Sequence, residues 1–386
     1  MKAKSIKGRS ADEIRSALQQ CVSDGFVPTL AIVFISIKQN RDSICEILHD
    51  KGIDVVGATS CGEFINGHQD QGSIAILLLD LRREAYAILF EDIGNKDIAG
   101  VAKKLADDAL EKFKHPAFIL LSTGMSKDGV VFNGEQLIRN MEKEIGPQVN
   151  IFGGMAGDDY SMTGSYVFTK NNSGDIAVAA LVLDEEKLSL IGNAISGWQA
   201  VGTVKTVTKS EDDWVYTIDG QPAPDMYLKY LGKQAKTEQE LKTLYEDIGL
   251  FYPFQVIDSD DPVMRTPMMI DRERNAIKFD FAIPEGTKLQ FSMPPDFDIV
   301  ENVLADANEI KNSNRFDAEA LLIFSCAGRL NALGPLTSSE NYGLHEIWNV
   351  PMAGFFTYGE FGKGTKGKQE FHSTTCCWVA IKENKN

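Results

Sequence analysis

One order of segments occurs three times in this chain, and it limits the fold more than any single motif does. Residues 29–36, 116–121 and 319–324 are short apolar runs dominated by Leu, Ile, Val, Phe and Ala. Their length and apolar continuity predict strands buried on both faces. Each is followed by a helix-patterned segment, at 43–51, 134–145 and 344–348, and then by a second extended stretch that breaks into glycine and other small residues. Those small-residue turns lie at 58–64, 153–159 and 351–361. A further apolar strand closes each copy, at 73–81, 175–183 and 371–381.

The spacing between copies is too irregular for a solenoid. They read instead as related layers of mixed sheets with helices packed on their faces, an α/β or α+β fold. A helix at 11–21 precedes the first copy. Between the second and third copies the pattern changes: alternating residues at 214–218 and 276–283 predict strands, 287–293 another, 224–232 a helix, and a polar stretch runs on to 246. A boundary near Gln221 fits that change and divides the chain into a helical lead-in at 1–27 and two closely packed halves at 28–220 and 221–386. With 386 residues, 43% of them hydrophobic, a sizeable core can be buried.

Charge and cysteine usage narrow the function classes. A formal net charge of −16 repels phosphate backbones, so nucleic acid and anionic membrane surfaces are not expected partners. Lys2, Lys4, Lys7 and Arg9 lead into no apolar core, and runs such as 74–79 fall far short of the ~18 residues of a spanning helix. The expectation is a cytoplasmic protein without membrane insertion. Six cysteines with no C-x-x-C pair predict thiols, with neither a disulfide frame nor a metal site. Cys376 and Cys377, neighbours on a strand, should face opposite sides as small buried hydrophobes.

Glycine and small residues cluster after predicted strands at 57–62, 122–125, 153–157 and 325–328. In open α/β sheets, loops at strand carboxyl ends expose backbone N–H groups beside a crevice, where ligands bind. Tight turns explain any one of these clusters, and the set points to a ligand site. None carries G-x-x-x-x-G-K-[ST] or a strand-to-helix G-x-G-x-x-G, so nucleotide sites lack their scaffold. Cys61 and Cys326 follow strands as elbow nucleophiles do, with His372 available as base. The elbow spacing G-x-S-x-G is absent, however, and packing is the favoured reading. For Asp158 and Asp159, turn capping is a stronger explanation than metal binding, and at least one of them is expected to be a cap. Of five histidines, His345 in an apolar helix and His372 at the start of the last strand are the candidates for an axial haem or pocket role, with a satisfied structural histidine as the alternative.

These residues together resemble the FIST family. The run Val-Val-Gly-Ala-Thr-Ser-Cys-Gly-Glu at 55–63 is similar to the signature turn of its N-terminal domain, and Gly-Gly-Met-Ala-Gly-Asp at 153–158 to a second landmark. Gly197 and Trp198, then Val-Thr-Lys-Ser-Glu at 207–211 and Tyr-Thr-Ile-Asp-Gly-Gln-Pro-Ala at 216–223, resemble the join between the family's two domains. Arg-Thr-Pro-Met at 265–268, Ile-Pro-Glu-Gly at 283–286, Phe-Ser-Cys-Ala-Gly-Arg at 324–329, the turn at 351–360 and His-Ser-Thr-Thr at 372–375 resemble landmarks of its C-terminal domain.

The resemblance implies a sensory protein that is not an enzyme, of a kind fused to or encoded beside histidine kinases, chemoreceptors and cyclic-dinucleotide enzymes. With no such segment in this sequence, the output is expected to pass through a separate signalling partner. The implied ligand is small, an amino acid or similar metabolite, and no cofactor is required. One branch of the family binds haem and senses nitric oxide, and in that case His372 or His345 would be the axial ligand. Convergence of the turns predicts a pocket lined by Thr59, Ser60, Cys61, Glu63, Gly153, Gly154, Met155, Asp158, Arg329, Glu360 and Thr374. Arg329 would grip a ligand carboxylate with two parallel hydrogen bonds. A thiol-dependent enzyme using Cys61 or Cys326 is the reading from another class.

Overall fold

The computed structural model describes all residues except 95, 234–247, 258–261, 294–295, 297 and 385–386, so most of the polar stretch ending at 246 lies outside the described residues. The repeated order of segments becomes three copies of one unit. Unit 1 is β1 (Ala3–Gly8), α1 (Ala11–Cys21), β2 (Leu30–Ser36), α2 (Arg41–His49), β3 (Asp54–Ser60), a hairpin of β4 (Glu63–Ile65) and β5 (His68–Asp70), and β6 (Ile74–Leu79). Unit 2 is β7 (Tyr86–Asp92), α3 (Ile98–Lys112), β8 (Pro116–Ser122), α4 (Gly134–Ile145), β9 (Ile151–Met155), β10 (Val167–Thr169) with β11 (Ser173–Gly174), and β12 (Ala177–Asp184).

Unit 3 opens with β13 (Leu188–Ile195) and is interrupted by an insertion. The insertion holds β14 (Ala200–Glu211), β15 (Trp214–Ile218), β16 (Gln221–Pro222), α5 (Ala223–Tyr230), β17 (Phe254–Val256), β18 (Val263–Arg265), β19 (Pro267–Asp271), β20 (Ala276–Phe279) and β21 (Lys288–Ser292). The unit resumes with α6 (Asp298–Asn314), β22 (Ala320–Cys326), α7 (Ala327–Leu333), α8 (Leu336–Trp348), β23 (Met352–Thr357), β24 (Glu360–Lys363) with β25 (Gln369–His372), and β26 (Cys376–Glu383).

Each unit builds a six-stranded sheet in the same order, but borrows its last two strands from another unit. Sheet I runs β1-β6-β2-β3-β10-β11, sheet II β7-β12-β8-β9-β24-β25, and sheet III β13-β26-β22-β23-β4-β5. In each, the first and second long strands of the unit pair in parallel, β2 with β3, β8 with β9 and β22 with β23, and the neighbours are antiparallel. Unit 1 therefore lends its hairpin to sheet III, unit 2 to sheet I, and unit 3 to sheet II. The exchange is cyclic and ties the two halves of the chain together.

The seam at each borrowed hairpin has one chemistry. Gly57 pairs with Phe168, Gly153 with Phe361 and Gly354 with Phe64. A Cβ on Gly57 would fall 2.6 Å from the Val33 carbonyl oxygen and 2.5 Å from the Phe168 ring, and one on Gly354 would fall 2.2 Å from the Ile323 oxygen. Glycine is required at these two because the neighbouring backbone and a hairpin ring occupy the space of a side chain, and at Gly153 because the Leu120 backbone does.

Period-two alternation supplies both faces of every sheet. Leu30, Ile32 and Phe34 of sheet I, Ile119 and Leu121 of sheet II, and Leu322, Phe324 and Val379 of sheet III meet in one central core. The alternate residues pack under helices: Val33 and Ile35 against Ile14, Leu18 and Leu48, Phe118 and Leu120 against Leu105 and Leu137, and Leu321 and Ile323 against Val303 and Leu344. Cys377 falls in the central core and Cys376 on the helix side, on opposite faces as their adjacency on a strand dictates. The insertion has a core of its own around Val215, Phe254, Phe279 and Phe291. Helix starts follow the capping rule: Ser10, Asn40, Asp97 and Asn133 each accept a backbone N–H from the first turn of α1 to α4.

Several segments differ from the sequence reading. Residues 58–60 continue β3 rather than turning, because Ala58 pairs across the seam with Val167, and likewise 153–155 complete β9 and 352–357 form β23. The stretch 371–381 is two strands, and His372 closes β25 instead of opening the last strand. The lead-in at 1–27 is not helical alone, since β1 forms the edge of sheet I against β6.

Candidate functional site

The three glycine turns converge, as their positions after equivalent strands require. Gly157 N–H donates to the Thr59 oxygen at 2.9 Å and Asp159 N–H to the Ser60 oxygen at 2.9 Å. Met155 N–H donates to the Gly359 oxygen at 2.8 Å, and Cys61 N–H to the Phe356 oxygen at 3.0 Å. Counting from the seam glycines Gly57, Gly153 and Gly354, position +3 is Ser60, Ala156 or Thr357, and position +6 is Glu63, Asp159 or Glu360. Ser60 Oγ donates to Glu63, and Thr357 Oγ1 donates to Glu360 at 2.5 Å, so units 1 and 3 carry the same buried hydroxyl–carboxyl pair. Ser73 adds two hydrogen bonds to Glu63, at 2.9 and 2.7 Å. Burial nonetheless outweighs them and pushes the Glu63 carboxyl up to about 7. Burial also holds Glu360 well above the ordinary carboxylate range.

The remaining turn residues are held by the protein itself. Thr59 Oγ1 donates to the Gly157 oxygen at 2.6 Å and accepts the Tyr166 N–H at 2.8 Å. A Cβ on Gly154 would press into the Thr357 side chain at 2.6 Å, and Gly153 lies against the Leu120 carbonyl. Asp158 accepts the N–H groups of Thr163 and Gly164 at 2.7 and 3.2 Å and the Tyr358 hydroxyl at 2.5 Å, so it caps the turn that follows it. In that turn Asp159, Tyr160 and Met162 all have left-handed backbones, with φ of 54°, 57° and 54°. Thr374, also left-handed at 56°, has a buried hydroxyl without a hydrogen-bond partner among the described residues.

Arg329 is fully buried and its guanidinium is occupied. It forms a two-pronged ion pair with Glu340 and donates to the Ser196 and Thr374 carbonyl oxygens at 2.5 and 3.2 Å. A ligand carboxylate would have to displace Glu340 to reach it. The thiols are equally enclosed: burial pushes Cys61 up to about 12 and Cys326 well above its ordinary value, with the Glu360 carboxyl adding to the second. A nucleophilic cysteine needs the opposite shift.

Open space lies elsewhere. A cleft of about 510 Å³ is framed by the end of β13, the 196–199 connection, α6, the β24–β25 turn and the insertion. Its polar walls include Gln199, Gln255, Asn302, Asp306, Glu309 and His372, with no Lys or Arg among the described residues that line it. Both oxygens of Asp306 accept from the Asn193 amide, at 2.9 and 2.8 Å, and burial still raises its pKa. The Gln255 amide donates to the Trp198 oxygen at 2.8 Å. A second cleft, of about 590 Å³, lies between α2 and the β10–β11 hairpin and includes Arg41. The turn residues named from the sequence line neither cleft; of the candidates, His372 alone does.

Matches to known proteins cover both halves. The FIST N domain matches residues 29–221, and the FIST C domain matches residues 223–363. The chain belongs to the FIST family. It is also similar to an uncharacterized protein of Methanocaldococcus jannaschii, 25% identical over 317 residues, which cover 77% of this chain. The chain spans about 60% of the length of that relative. FIST domains are sensory ligand-binding domains. Among the described residues of this FIST protein no helix is long and apolar enough to cross a membrane.

The histidines fit a haem poorly. His372 Nε2 lies 3.2 Å from the Gly362 carbonyl oxygen, and the cleft it borders presents Asp306 and Glu309 where haem propionates need cations. His345 Nδ1 is buried without a hydrogen-bond partner among the described residues, and its ring packs near Gly67 and borders neither cleft.

Proposed function

We propose that this FIST protein is a cytoplasmic, non-catalytic sensor whose ligand occupies the cleft between sheet III, α6 and the insertion. The observation that carries this reading is the cleft's position. It draws walls from β13, α6, the hairpin turn of unit 3 and the insertion, so a bound molecule touches parts of the chain that could shift against one another. Its volume suits a small metabolite.

The walls also select the ligand. Two carboxylates, three side-chain amides and an imidazole, with no Lys or Arg among the described residues of the walls, favour a hydrogen-bonding molecule with an ammonium group, such as an amino acid or amine. The raised pKa of Asp306 fits a carboxylate that lacks a cation. Occupancy is read by a separate partner, a histidine kinase or cyclic-dinucleotide enzyme being the kind that the family resemblance suggests.

The test is thermal stabilisation of the full chain across a panel of amino acids and amines. A ligand at 100-fold excess over its Kd should add about 2.7 kcal/mol. Asp306→Asn should abolish that gain while leaving the ligand-free protein folded. A stabilising ligand whose effect is untouched in Asp306→Asn would move the site elsewhere.

A further inference from the structure

The cleft between α2 and the β10–β11 hairpin has a different chemistry. Arg41, Cys45 and His49 recur at i, i+4 and i+8, so one face of α2 supplies one wall, and Phe168, Thr169, Lys170, Asn171, Asn172 and Ser173 supply the other. The two walls come from different units, α2 from unit 1 and the hairpin from unit 2.

Arg41 is the unusual member. The chain carries 55 acidic residues against 39 basic ones, and the buried arginines Arg265 and Arg329 each have a carboxylate partner. Arg41 forms no ion pair or hydrogen bond among the described residues. Its guanidinium instead lies 4.1 Å from the centre of the Tyr166 ring, and its Nε–H is buried without an acceptor. The ring covers one side of the group, and its two terminal nitrogens have no acceptor among the described residues. Leaving a half-buried cation unpaired is costly: burial lowers its pKa despite the negative field of Asp42. Lys170, across the cleft, also has no ion-pair partner among the described residues.

We infer that this cleft is a second small-molecule site, taking a ligand with a carboxylate or phosphate group held end-on by the terminal nitrogens of Arg41, with Lys170 flanking it. A guanidinium is planar and presents two parallel N–H donors at the spacing of two oxyanion oxygens, and the Tyr166 ring 4.1 Å away limits its movement. The cleft is far larger than a single ion needs, so the oxyanion is the anchoring end of a larger molecule. The exposed carboxylates of Asp42 and Glu46, which also border the cleft, disfavour a polyanion and restrict the ligand to one compact anionic group. This site shares no wall residue with the cleft of the proposed sensor ligand, and the inference stands or falls independently of it.

The experiment titrates the full chain with inorganic phosphate and, separately, with butyrate at constant ionic strength. Calorimetry and thermal stability are read for the wild type, Arg41→Gln, Arg41→Lys and Asp306→Asn. Saturable binding of at least one anion is expected, and the stronger of the two identifies the oxyanion. Arg41→Gln should abolish it, Arg41→Lys should weaken it about tenfold by losing the paired geometry, and Asp306→Asn should leave it unchanged. Without anion, Arg41→Gln should be as stable as the wild type or more so, because an unpaired buried charge is gone. The inference is overturned if neither anion binds saturably, if Arg41→Gln binds as well as the wild type, or if Arg41→Gln is less stable without anion and the wild type shows no anion response. The last result would leave Arg41 a packing role alone.

Discussion

Glu63 and Glu360 occupy equivalent places in units 1 and 3, each beside a hydroxyl three residues earlier, and each is taken out of water by the convergence of the turns. For Glu63 this has a consequence for stability. Folded Glu63 keeps its proton up to about 7, whereas the unfolded side chain loses it near 4.5. Between those values the folded state binds more protons, so its contribution is fully present below 4.5 and is lost as the pH rises through 7. At about 1.4 kcal/mol per pH unit the loss is on the order of 3 kcal/mol. Glu63→Gln should flatten the dependence of urea-unfolding free energy on pH between 5 and 7, relative to the wild type. An unchanged slope in the variant would assign that dependence to other groups. The residues of these turns were legible in the sequence as small-residue clusters after strands, and so was the capping role of Asp158. Their occupation by one another was not, because Tyr358 meets Asp158 only once distant turns are brought together, and Arg329 meets Glu340 only across the corner between α7 and α8. Arg41 and Asp306 gave no signal at all, since an arginine without a partner and an aspartate facing a cleft look like any surface charge until the fold surrounds them.

At the scale of elements, the long buried strands and their helices followed from apolar runs and capping residues, and α1 and α4 have the bounds that periodicity gives. Helix α6 received no assignment, although Ile299, Val303 and Ala307 recur at helical spacing, because its apolar residues are few among acidic and amide ones. The hairpins were the least legible, since strands of two to four residues carry too little pattern and their partners lie up to about 290 residues away in sequence. What marks them is the glycine–phenylalanine pair at each seam. Gly354→Ala would put a Cβ 2.2 Å from the Ile323 oxygen and 2.8 Å from the Phe64 ring. Neither the parallel strand nor the hairpin can yield without loosening sheet III, so the variant should lose about 1–3 kcal/mol. A urea midpoint equal to the wild type's would show that the seam is looser than this packing requires.

For the whole molecule, the cyclic exchange of hairpins runs across a cut at 221, since sheets II and III each take strands from both sides of it. A fragment ending at 221 would keep β13 and the β4–β5 hairpin without β22, β23 and β26, and would leave β9 with an open edge where β24 belongs. It would also expose half of the central core, including Phe34, which packs 4.6 Å from Phe355. Open edges and bared core favour aggregation. The insertion is the separable part instead. It leaves after Gln199 and returns at Met293, and those two residues are hydrogen-bonded at 2.8 Å, so the ends of the excised segment are already adjacent. Its core is its own, and no strand of sheets I to III lies within it. Replacing 200–292 with a short Gly-Ser linker should therefore give a soluble protein with cooperative unfolding. It should be less stable than the full chain, because Trp198 and Ile299 lose their packing on Met264. The fragment 1–221 should be insoluble or lack a cooperative transition, and co-expression with 222–386 should restore a folded complex. Circular dichroism and thermal melts of the three proteins decide it: a stable, monomeric, cooperatively unfolding 1–221 would mean that the exchanged hairpins do not hold the molecule together.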